Sequence, residues 1–171
     1  MTRAINAIAA AHGALAVLLF VALTVVVSLQ VFARWVLPIS IIWSEEAARF
    51  LFLWVVMLGA ALSVRSRRHF VIDVTGGRRP QGRLARILFE LVPDVIVLAF
   101  SLLLLVEGIG YTRVGSFRIG TNSTINMAFV YAAIPTFAAL SMIYAAENLA
   151  RDIADFRAGR HRPADAPPTE V

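Results

Sequence analysis

Four predominantly apolar stretches of roughly membrane-spanning length decide what this chain can fold into. The first carries no charge between His12 and Arg34 and reads as a span over residues 13–37; the others cover 47–64, 84–106 and 126–146. At ~1.5 Å rise per residue such runs suit helices crossing a hydrocarbon core of ~30 Å. An open sheet cannot satisfy its backbone in lipid, so helices rather than strands follow. The fold class is an all-α membrane protein with four transmembrane helices. Residues 1–157 read as a single four-helix membrane domain, and 158–171, rich in Pro, Ala and charge, as a disordered cytoplasmic tail. The first run is too long for the 7–15 apolar residues of a signal peptide, and no small-residue cleavage pattern follows it before Arg34, so a retained helix is expected.

Composition removes several function classes. Hydrophobic residues make up 59% of the chain and charged ones 16%, against roughly 25% in soluble domains. There is no cysteine, which excludes disulfides, thiolate metal sites and cysteine nucleophiles. The net charge of +5 could suit nucleic acid, but the arginines sit in short loops between apolar runs, a membrane-protein distribution, so no nucleic-acid partner is expected. No P-loop, GxSxG or paired metal motif occurs. No histidine falls within these four spans, which leaves a haem between helices without an imidazole ligand. Catalytic residues, metal ligands and cofactors are therefore not expected, nor is there an internal repeat of the kind that frames a midplane substrate site.

Orientation follows from the arginines. The N-terminal segment has one, the second loop seven and the C-terminal tail four, so twelve of the sixteen lie in the cytoplasm if both termini do. The first and third loops, with two each, then face outward.

The stretch Trp43–Asp73 is the most unusual. Glu45, Glu46 and Arg49 stand at the mouth of an apolar run of only fifteen residues that ends at Arg65. That is about 22 Å of helix, so Arg49 must lie at or below the interface with something to accept its charge. The two acids, three and four residues earlier, share its face and are expected to pair with it while serving the helix dipole; a metal or acid–base pair is the alternative. Ser44 is the expected N-cap, preceded by a short interfacial segment from Pro38 to Trp43. His69 and Asp73, four apart, could form a pH-sensitive or metal-binding pair, although the other ligands such a metal site requires are missing. Asp94, ~12 Å along the axis from Arg86, reads as the most buried acid, either a proton or ion relay or a group hydrogen-bonded to another helix or subunit. Gly59-Ala60-Ala61 offers a surface for close helix contact, and Tyr131 and Pro135 share one face of the last helix.

Taken as a set, Trp43-x-Glu45-Glu46-x-x-Arg49, Trp54, Gly59-Ala60-Ala61, Arg65, His69 and Asp73, followed by Tyr131-x-x-x-Pro135, resemble the small membrane subunit of tripartite ATP-independent periplasmic (TRAP) transporters. The resemblance covers about residues 13–150. One departure stands out: a proline shortly before Tyr131 is common in that family, whereas here Thr121–Asn126 is polar and proline-free. The resemblance implies a scaffold-like subunit in the bacterial inner membrane. Its partners would be a large multi-spanning subunit carrying the substrate and coupling-ion sites, a periplasmic solute-binding protein that captures an organic anion such as a carboxylate or acidic sugar, and the surrounding lipids. Two other classes remain open on the residues alone: a stand-alone small ion-coupled transporter or channel using Asp94 or the glutamates, and a membrane anchor for an enzyme complex.

Overall fold

The structure, a computed structural model, describes residues 2–37, 41–66 and 92–157. Its elements there are all helices: α1 (Thr2–Trp35), α2 (Ile42–Ser66), α3 (Val92–Gly115), α4 (Met127–Tyr131) and α5 (Ala133–Arg157). Four stretches among the described residues are long and apolar enough to cross a membrane: Ile5–Trp35, Ile42–Ser66, Val92–Gly115 and Met127–Ala154. The described residues thus form an all-α fold with four membrane-length helices.

The helix ends differ from the sequence reading in instructive ways. α1 starts well before Gly13, which brings His12 inside a helix of membrane length. α3 continues past Val106 to Gly115 and takes in Glu107 and Arg113. A lone charge costs a helix none of its backbone bonds, so charge is a poor stop signal; a Gly-Ser pair followed by tight turns is a better one. Here Ser116 N reaches both Thr112 O and Arg113 O at 3.2 Å, and Arg118 N reaches Gly115 O at 3.0 Å. α2 begins at Ile42, so Ser44 is not its N-cap; Ser44 Oγ donates to Ile41 O at 2.7 Å. Of the expected interfacial segment, residues 38–40 lie outside the described residues, while Ile42 and Trp43 open α2 itself with their side chains exposed.

The fourth span is broken by Pro135. Lacking an N–H, it cannot bond Tyr131 O four residues back, and the chain turns at Ala132 between α4 and α5. Bonds on either side, Ala132 N to Ala128 O and Thr136 N to Ala132 O, keep the two helices in one path.

α1 packs on α2, α2 on α5 and α5 on α3, while α4 packs against α3. In lipid, close approach of small residues drives such packing. On α3 the buried positions are Asp94, Ser101, Gly108 and Gly115, a strict seven-residue spacing that keeps one narrow face toward its neighbours. A Cβ added at Gly108 would come 3.0 Å from both Ile134 Cγ2 and Pro135 Cδ. At the opposite end, Ala9, Ala61, Val64, Tyr144 and Ala145 form a buried cluster joining α1, α2 and α5.

Candidate functional site

The chain after α3 folds into a narrow bend. Gly120 N donates to Ile125 O at 2.9 Å and Met127 N to Arg118 O at 3.0 Å, around an antiparallel bridge between Ile119 and Asn126. Asn126 closes the bend: its Oδ1 accepts from Ala128 N at 2.8 Å, capping α4, and its Nδ2 donates to Ser116 O at 3.1 Å. The tip of the bend meets the first turns of α2. There Glu46, only 6% exposed, accepts from Thr121 N through Oε1 and from Asn122 N through Oε2, both at 2.9 Å. A carboxylate bonded to two backbone amides is a charge-assisted clasp, stronger than neutral bonds of the same number. Gly120 makes room for it, since a Cβ there would lie 2.7 Å from Glu46 Oε1 and 2.6 Å from Ser123 Oγ.

This arrangement changes the roles of the three charges at the mouth of α2. Among the described residues, no ion pair joins Arg49 to either glutamate. Arg49 Nε instead donates to the backbone carbonyl of Glu45 at 3.3 Å, its side chain reaching back toward the helix start as an arginine below an interface does. Glu45 is exposed in the first turn, where the helix dipole favours an acid. The expected pairing rested on spacing along one helix; backbone amides 75 and 76 residues away supplied two donors for Glu46 that the arginine did not.

The aromatic residues of the same half hold the kinked fourth span. Trp54 Nε1 donates to Phe129 O at 3.2 Å, and the two rings lie 5.7 Å apart. Tyr131 packs on Tyr111 with ring centroids 4.6 Å apart, over Gly115, where an added Cβ would come 2.5 Å from Tyr131 Cδ2. Tyr131 and Pro135 thus both meet α3, at Gly115 and Gly108.

The other end of the bundle is held by side chains meeting side chains. His12 Nδ1 lies 3.1 Å from the Tyr144 hydroxyl, with both residues buried. The Arg65 guanidinium sits 5.8 Å from the centre of the Tyr144 ring, and its Nη2 donates to Asn6 Oδ1 at 2.6 Å. Asn148 Nδ2 donates to Val64 O at 3.1 Å, satisfying a carbonyl in the last turns of α2. Glu147 and Arg151 form an ion pair one turn apart on α5.

The remaining sequence candidates fall as follows. Ala61 is the fully buried member of Gly59-Ala60-Ala61, while Gly59 faces open space. Asp94 is buried in the first turn of α3 and is engaged by a neighbouring group, but it is not the most buried acid, since Glu46, Glu147 and Asp152 are buried at least as deeply. Its supposed depth was measured from Arg86, which lies outside the described residues together with His69 and Asp73.

The sequence from 23 to 155 matches the family model described as "Tripartite ATP-independent periplasmic transporters, DctQ component". The chain belongs to this family. The sialic acid TRAP transporter permease protein SiaT of Haemophilus influenzae is 32% identical over 124 residues, covering 72% of this chain and 20% of that protein. The C4-dicarboxylate TRAP transporter small permease protein DctQ of Vibrio cholerae is 36% identical over 90 residues, 53% of this chain and 38% of that one. The sialic acid TRAP transporter small permease protein SiaQ of the same organism is 30% identical over 79 residues, 46% of each. The chain therefore matches less than half the length of each of these relatives.

As a DctQ-family member the chain is a transporter component with membrane-spanning helices, not an enzyme. The residues that sequence reasoning missed are those whose partners lie far along the chain: Thr121 and Asn122 at the clasp, His12 and Tyr144 at the other end, and the α3 series Ser101, Gly108 and Gly115. Only the last left a signal, the seven-residue spacing of small residues within an apolar run. The polar, proline-free stretch Thr121–Asn126, noted as a departure from the family pattern, provides the amides that hold Glu46.

Proposed function

We propose that this chain is the small, scaffold-like membrane subunit of a TRAP-type secondary transporter in the bacterial inner membrane. It works with a large multi-spanning subunit that carries the solute and a periplasmic binding protein that captures it. The observation carrying this reading is where the polar groups within the helices go. Glu46, Trp54, Arg65, His12, Tyr144 and Asn148 all bond other parts of this same chain, joining helix to helix and helix to loop. They brace the chain internally, as expected of a supporting subunit. In the Haemophilus influenzae relative the matched stretch is a fifth of a much longer permease, which favours a larger membrane portion as the constant companion of this unit.

The solute is an organic anion. Two relatives are named for sialic acid and one for C4-dicarboxylates, molecules that share the carboxylate group, and the chain serves a solute of that class. Both termini face the cytoplasm, with the Glu46 clasp on the periplasmic side and the His12–Tyr144–Arg65 cluster on the cytoplasmic side, the orientation that places twelve of sixteen arginines inside.

The test is co-expression with a large TRAP membrane subunit. A stoichiometric complex should survive purification in mild detergent, and failure to form one would sink the subunit reading. Because the chain has no cysteine, single substitutions report orientation cleanly. A membrane-impermeant maleimide should label Ser116→Cys from the periplasm and leave Ala150→Cys untouched; the reverse pattern would overturn the topology.

A further inference from the structure

Glu107 is an exposed acid well inside α3. It lies on α3 eight residues before Gly115, ~12 Å along the axis from that helix end, and is exposed. No hydrogen bond or ion pair reaches it among the described residues. Its surroundings on the outward surface of α3 are apolar. Phe100 and Leu103 precede it and Val114 follows it at helical spacing, all exposed, and Gly110 one turn on leaves the backbone open with nothing within 4 Å of an added Cβ. Arg49 is also exposed below a helix start, but its long side chain reaches back toward the interface. A glutamate has two methylenes and cannot cover ~12 Å that way. A carboxyl group on a lipid-facing helix at such depth is costly, and in membrane proteins such groups face protein and are paired.

We propose that the outward face of α3 around Glu107, formed by Phe100, Leu103, Gly110 and Val114, is the surface that docks on the large membrane subunit, and that this subunit meets the Glu107 carboxylate with a basic side chain at the same depth. The proposal rests on the subunit reading above and adds the face and the chemistry of contact. Charge complementarity selects the partner: the surface offers a single acidic group in an apolar field, which lipid tails cannot satisfy and a basic residue on a partner helix can. Gly110 beside it lets such a helix come close.

The test uses the co-expressed complex in lipid nanodiscs. Glu107→Leu and Glu107→Arg should insert in the membrane as well as the wild type, since the side chain at this position is exposed. Co-purified large subunit should fall by about fivefold to thirtyfold with Glu107→Leu, the loss expected for one interhelical polar contact in lipid, and further with Glu107→Arg. Gly110→Cys carrying a photo-crosslinker should give a product at the summed mass of the two subunits, while Val21→Cys on exposed α1 gives none. A wild-type complex that Glu107→Leu leaves intact would overturn the docking proposal alone. So would a Gly110→Cys product at twice the mass of this chain, which would assign the face to a second copy, or a product from Val21→Cys only. If the wild-type chain fails to co-purify with the large subunit, the subunit reading falls and the docking proposal with it.

Discussion

The two ends of this bundle solve the same problem in different ways. Where α2 begins, one carboxylate is held by two backbone amides of a bent loop, and Gly120 and Gly115 let the parts come within van der Waals reach. Where α2 ends, His12, Tyr144, Arg65, Asn6 and Asn148 meet mainly through side chains, each by a single bond or ring contact. Backbone donors are fixed by the fold and lose little freedom when bonded, whereas side chains must be ordered one by one. The difference lies in the kind of contact: α2 is tied at its start through backbone amides and at its finish through side chains and a buried apolar cluster.

Substitutions can break or sharpen this contrast. Glu46→Ala should have the largest effect. It removes two charge-assisted bonds, each roughly twice as strong as a neutral one, and hydrogen exchange at the Thr121 and Asn122 amides should accelerate together with a clear drop in the thermal midpoint. Glu46→Gln should lie between it and the wild type. Unchanged exchange in Glu46→Ala would remove the distinction between the ends. Gly115→Leu comes next, because even its first carbon meets Tyr131 and the backbone of Ala128. Overpacking of this kind costs about 1–3 kcal/mol, measurable as a loss of chemical-denaturation stability in micelles. At the opposite end, Tyr144→Phe keeps the ring near Arg65 and removes only the hydroxyl facing His12, for about 1 kcal/mol by the same assay. Arg49→Ala should be the mildest, with no measurable change in the isolated chain, since Arg49 is exposed and touches only a carbonyl at 3.3 Å. A loss as great as that of Glu46→Ala would restore the ion pair at the mouth of α2.

The span count and the family were legible in the sequence because each depends on a strong local constraint. Bilayer thickness dictates apolar length, and the Trp43–Asp73 block carries its pattern within a short stretch. Helix limits were less legible. Glu107 and Arg113 read as loop residues by their charge, yet α3 runs through both, since nothing in a lone charge interrupts backbone bonding. The role of Glu46 was misassigned because Arg49 is its neighbour in sequence, while the amides that bind it are neutral backbone groups far along the chain and leave no mark in composition. His12 escaped notice for a similar reason. It sits at the edge of the apolar run, and only the fold brings Tyr144 to it from 132 residues away.

Solute uptake into liposomes tests the central claim of a supporting subunit most directly. With binding protein and an ion gradient present, vesicles holding both this chain and the large subunit should accumulate a carboxylate solute, and vesicles holding this chain alone should accumulate none. Flux through the chain alone, abolished by changing Asp94 or Glu46, would contradict the account and make the chain a transporter in its own right.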